Sequence, residues 1–84
     1  LVATLYSRDI ADGNLAEIAF EVENLAARAG TSEASVTSLI DSLRLETGQR
    51  VKTNTQHQWP RVGLSKKAHV ELVIAALSAI LRKE

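Results

Sequence analysis

The sequence predicts a mainly α-helical domain that carries one small β-hairpin in its second half. Three observations lead there. Apolar residues recur at helical spacing in four stretches, at 1–11, 15–29, 32–43 and 66–82. The four glycines stand singly at positions 13, 30, 48 and 63, each at an element boundary. Between the third and fourth stretches lies a polar run rich in β-branched residues, 50–55, followed by a second short run around Pro60.

With 84 residues the chain has room for one core and none for a large catalytic cleft. Hydrophobic residues at 45% and charged residues at 24% fit a globular fold and exclude a disordered composition. The absence of cysteine excludes a disulfide scaffold, a thiolate zinc site and a cysteine nucleophile. The longest mainly apolar run, 70–81, is too short to span a bilayer, and no basic leader opens the chain, so a cytoplasmic location is expected. A start at Leu1 without Met fits a piece excised from a longer protein.

Leu1, Val2, Leu5, Tyr6 and Ile10 mark the apolar side of a short first helix over 1–11. Asp12-Gly13 supplies turn chemistry, Asn14 stands where a cap is needed, and Glu17 is three residues on, able to reach back. Leu15, Ile18, Ala19, Val22, Leu25, Ala26 and Ala29 then form one stripe that stops at Gly30. A period-2 reading around Phe20-Glu21-Val22 competes, and would allow a short strand before a shorter helix, with a break within 19–22. Ser32 caps a third helix with Val36, Leu39, Ile40 and Leu43 as its stripe, closed by Gly48. The runs at 50–55 and 59–64 read as hairpin strands joined through Gln56-His57-Gln58, with Pro60 at an edge. Ser65 caps the last helix, whose apolar positions are Ala68, Val70, Val73, Ile74, Leu77, Ile80 and Leu81.

Positions 22–41 have the layout of two helices that cross at a tight turn. A small residue, Ala26, stands where the second helix would cross at roughly 90–120°. Gly30 can adopt the left-handed conformation that ends a helix within one residue. Leu25-Ala26-Ala27-Arg28-Ala29-Gly30-Thr31-Ser32-Glu33-Ala34-Ser35-Val36-Thr37 resembles the helix-turn-helix of bacterial transcription regulators, both sugar-isomerase-type repressors and MarR-like winged-helix proteins. With the basic hairpin behind it, the resemblance implies a single winged helix-turn-helix domain over residues 1–84. It further implies that the helix at 32–43 enters the major groove of duplex DNA while the hairpin grips phosphates. Carried over by position, Thr31, Ser32, Ser35, Thr37 and Ser38 would face DNA. The chain departs from the pattern on that face, which offers Ser and Thr beside Glu33 and Asp41, without the Arg, Gln or Asn of bidentate base contacts.

Net charge is zero, but it is divided. Residues 1–46 hold three arginines against eight acids; residues 47–84 hold seven cations against two acids. Arg50, Lys52, Arg61, Lys66 and Lys67 follow one another with no acid between them, interleaved with polar side chains such as Asn54. Phosphate-contacting surfaces use these residue types. Arg50, Lys52, Asn54, Arg61, Lys66 and Lys67 are therefore the expected phosphate contacts. Lys66 and Lys67 oppose the dipole of the helix they open, an arrangement an anion nearby would favour. The competing account pairs this basic segment internally with the acidic half.

No other chemistry emerges. His57 and His69 have no partners at ligand spacing, and the isolated glycines form no phosphate loop. No enzyme, metal or small-molecule cofactor is expected. The expected function is double-stranded DNA binding in a bacterial, phage or plasmid regulatory or DNA-processing protein, transcription regulation included. A winged-helix module for protein–protein contact is the alternative. The last helix is apolar over most of its circumference, which points to a homodimer through it.

Overall fold

The computed structural model describes residues 2–52 and 59–82. In chain order the elements are β1 (Ala3–Tyr6), β2 (Ala16–Phe20), α1 (Val22–Ala29), α2 (Glu33–Thr47), β3 (Arg61–Leu64) and α3 (Lys67–Leu81). The three strands form one antiparallel sheet in the order β1-β2-β3, so the fold is α+β rather than mainly α.

The single helix expected over 15–29 is instead β2 followed by α1, and Phe20 accounts for the difference. On a helix with the stripe Leu15, Ile18, Ala19 and Val22, Phe20 would stand about 100° beyond Ala19, away from the core. In a strand it shares a face with Ala16 and Ile18, and it is fully buried in the core cluster. Removing such a ring from water is worth about 1.5–3 kcal/mol. The helix expected over 1–11 is corrected as well. In its place β1 satisfies the backbone of β2 along one edge, with Ala3 opposite Phe20 and Tyr6 opposite Glu17.

The helices after Val22 follow the sequence closely. Gly30 has φ 67° and ends α1, its N–H meeting the Ala27 carbonyl at 3.3 Å while Thr31 N–H meets that of Ala26 at 3.0 Å. Ser32 caps α2 by accepting from the Ser35 amide at 3.1 Å, and Gly48 closes α2 with φ 62°. Leu25 and Ala26 of α1, Val36, Ile40 and Leu43 of α2, Val62 and Leu64 of β3, and Val73 of α3 meet Phe20 in one core.

The expected basic hairpin is not what β3 belongs to. β3 pairs with β2, Ala16 opposite Leu64 and Ala19 opposite Arg61. Residues 50–52 are not in a strand, and 53–58, the rest of the expected first hairpin strand and its connection, lie outside the described residues. Ser65 does not cap α3. Lys66 holds the cap position without a side-chain bond, and Ser65 instead donates its amide to Nδ1 of the buried His69 at 3.1 Å. Among the described residues no helix is long and apolar enough to cross a membrane.

Strand alternation divides the sheet into two unlike faces. Ala16, Ile18, Phe20, Val62 and Leu64 turn to the helices. The register puts Tyr6, Glu17, Ala19, Arg61 and Gly63 on the other face, where Glu17, Ala19, Arg61 and Gly63 are also buried.

Candidate nucleic-acid interface

The crossing of α1 and α2 buries Ala26, Ala29 and Val36, which turns the start of α2 outward. Thr31, Ser32, Ser35, Thr37 and Ser38 are all exposed, on one turn and the first turns of one helix. Two of these hydroxyls already have work: Ser32 Oγ lies 3.0 Å from Ser35 Oγ while also capping the helix. Beyond them α2 presents Glu33, Asp41 and Glu46 to solvent, and its only cation, Arg44, is half-buried with Nε donating to the Arg61 carbonyl at 2.8 Å. A groove-reading surface built this way has hydroxyls and acids, and no guanidinium or side-chain amide.

The cations lie elsewhere. Arg50 and Lys52 are exposed on the segment that leaves α2, and Lys66 and Lys67 are exposed where α3 begins. Lys52 Nζ meets Asp9 at 3.4 Å, both well exposed, a pairing worth at most about 1 kcal/mol. Asn54, the remaining expected polar contact of this segment, lies outside the described residues, as does His57. Arg50 and Lys52 lie past the C-terminal end of α2, about 22 Å from its hydroxyl-bearing start at 1.5 Å per residue over its 15 residues.

Arg61 must be taken off the list of expected phosphate contacts. It is 3% exposed and points into the sheet's outer face. There Nη1 donates to Glu17 Oε1 at 3.1 Å and to the Asp9 carbonyl at 3.0 Å, and the guanidinium covers the Tyr6 ring at 4.3 Å. The physical reason lies in register. Arg61 shares a face with Gly63 and sits beside β2, next to a carboxylate that has no water to solvate it.

Glu17 is the centre of this cluster and is 0% exposed. Each carboxylate oxygen accepts twice: Oε2 from the Ala11 amide at 2.6 Å and Asn14 Nδ2 at 2.8 Å, Oε1 from the Lys52 amide at 3.1 Å and Arg61 Nη1. Burial pushes the Glu17 carboxyl up, but the bonds from Ala11, Asn14, Lys52 and Arg61 together outweigh it and hold the group below its ordinary value of 4.5. Asn14 also donates to the Arg50 carbonyl at 2.8 Å. Gly63, opposite Glu17, makes room for this: a Cβ there would stand 2.7 Å from Gln49 Cβ and 2.8 Å from the Asn14 amide nitrogen. Asn14 and Glu17 do act together, as their spacing suggests, though across a strand end rather than as a helix cap. Sequence reasoning missed this cluster. Its one signal is a glutamate inside the apolar run Ala16-Glu17-Ile18-Ala19-Phe20.

Among the described residues no three His, Asp or Glu side chains stand close enough to hold a metal ion. No protein-family model, curated protein or solved structure matches the chain.

Proposed function

We propose that this chain binds double-stranded DNA as a winged helix-turn-helix module, in a regulatory or DNA-processing protein. The observation that carries the reading is the tight α1–Gly30–α2 turn, which leaves the start of α2 projecting from the core with five exposed hydroxyl residues. Its setting adds support, because the strand before the helix pair is hydrogen-bonded to the strand after it, which holds the pair between two joined strands. Arg50, Lys52, Lys66 and Lys67 supply the phosphate contacts, while Thr31, Thr37 and Ser38 approach the groove. Since α2 lacks bidentate donors and exposes Glu33 and Asp41, most of the affinity is electrostatic and sequence discrimination is modest.

Titration of a random-sequence duplex at several salt concentrations tests this. Four neutralised phosphates give a slope of log K against log salt of about −3.6. Arg50→Ala with Lys52→Ala flattens the slope by about 1.8. No binding at about 50 mM salt overturns the reading.

A second element of the proposal is self-association. α3 buries only His69 and Val73, and Val70, Ile74 and Leu81 are exposed, with Leu77 half-buried between them. Spacings of four, three and four residues between these positions make the seam of a two-helix coiled coil. Two copies related by a two-fold axis would each offer the same stripe.

A further inference from the structure

We propose that Glu17, acting with Asn14, is the positioning residue that fixes the basic segment 49–52 for phosphate contact. The inference rests on the DNA-binding reading and assigns to a buried acid the placement of two exposed cations. After Gly48 the chain is not in a strand, and its local backbone groups find partners on the outer face of the sheet. Three anchors hold it there. Gln49 Cβ packs on the bare Cα of Gly63, the Arg50 carbonyl accepts from Asn14, and the Lys52 amide donates to Glu17. Between the last two anchors, Val51 is half-buried and the side chains of Arg50 and Lys52 are in solvent.

Stability alone gives no reason for a carboxylate at this place. A buried ion pair such as Glu17–Arg61 holds strands no better than an apolar pair of similar volume. Two apolar side chains, however, could not hold the Lys52 amide or orient the Asn14 amide toward the Arg50 carbonyl. An amide at position 17 would also fail, since each carboxylate oxygen already faces two donors and an NH2 group would confront two of them. Arg61 balances the charge and, through the Asp9 carbonyl and the Tyr6 ring, ties the loop after β1 to the same point.

The test uses Glu17→Gln and the milder Asn14→Ala, each compared with wild type by amide hydrogen exchange and by duplex binding. In Asn14→Ala the Lys52 amide is expected to exchange about tenfold faster relative to the Ile40 amide, which reports opening of the core. Duplex affinity should fall and the salt slope should flatten by between about 0.9 and 1.8, as one or both cations lose their place. In a chain already carrying Arg50→Ala and Lys52→Ala, Asn14→Ala should cause no further loss of affinity. An equal loss in that background overturns the proposal, because the effect would then act on the fold as a whole. Lys52 exchange that merely tracks Ile40 overturns it too. A wild-type chain that ignores duplex DNA overturns the functional reading instead, and the exchange comparison still decides whether Glu17 and Asn14 hold the segment. Should Glu17→Gln not fold, the Asn14→Ala arms decide alone.

Discussion

Arg61 and Arg50 carry the same charge and have opposite roles. Arg61 is enclosed by Glu17, Asp9 and Tyr6, whereas Arg50 has its side chain in water. Removing one partner of a buried ion pair leaves the other uncompensated and costs about 3–5 kcal/mol. Arg61→Ala should therefore lower the melting temperature by roughly 12 °C or more, and Arg50→Ala should leave it nearly unchanged while weakening DNA binding. Thermal melts of the two variants, side by side, check this. Glu17 adds a pH dependence. Its carboxyl is held below the ordinary 4.5 in the folded chain, so the unfolded chain takes up the proton first as pH falls. The stabilisation is complete above 4.5 and is lost as pH drops from there through the lowered folded value. Urea titrations across that acid range should show a steep loss of stability in wild type. Glu17→Gln, less stable at neutral pH, should show a flatter profile.

Among the elements, α1 and α2 depend on Gly30 and Ala26. A non-glycine residue in the left-handed region costs about 1–2 kcal/mol, and a β-branched one is a genuine outlier there. Gly30→Val and Ala26→Leu should each lower the melting temperature, by about 4–8 °C per kcal/mol lost. Their salt slopes for DNA should stay as in wild type so long as the domain is folded. Melts unchanged in both would mean that the crossing tolerates bulk. α1 and α2 could be read from the sequence because each has one buried stripe, a glycine or capping serine at a boundary and a wet opposite face, and α3 from its long run of apolar residues at helical spacing. β2 was legible only as the competing period-2 pattern near Phe20, because both its faces are covered. Ala16, Ile18 and Phe20 meet the helices while Glu17 and Ala19 meet a second, polar layer, so the alternation is too weak to displace the helical stripe. β1 was hidden for a related reason. Val2, Leu5 and Tyr6 fall at i, i+3 and i+4, a helical spacing, while in the strand Leu5 is left exposed. Of the candidate site, the hydroxyl residues came from the helix-turn-helix resemblance and the cations from residue type and order, and those five hydroxyl residues with Arg50, Lys52, Lys66 and Lys67 are exposed. The inward turn of Arg61 was not legible, since it depends on which strand β3 joins.

Over the whole molecule, α3 leaves Val70, Ile74 and Leu81 exposed while Val73 packs into the core. Sedimentation at tens of micromolar should find a dimer, and Leu77→Lys with Leu81→Lys should return it to monomer. A strict monomer in wild type removes the coiled-coil pairing, and a dimer that survives both lysines moves the interface off α3. Among the described residues the opposed charges of the two halves pair as Lys52 with Asp9 at the surface and Arg61 with Glu17 inside. Arg50, Lys66 and Lys67 are exposed.

The cluster around Glu17 also has a consequence in time. Its bonds to the Lys52 amide and to Arg61 span 35 and 44 residues of chain, and the Asp9 carbonyl reaches Arg61 across 52. Loops that long are slow to close, and little rewards their closure until both ends are in place. The helix pair, by contrast, is local and can form early. During synthesis the turn at Gly30 therefore precedes any ordered placement of Arg50 and Lys52, and a chain released before Leu64 carries those two cations without the strand that completes the sheet.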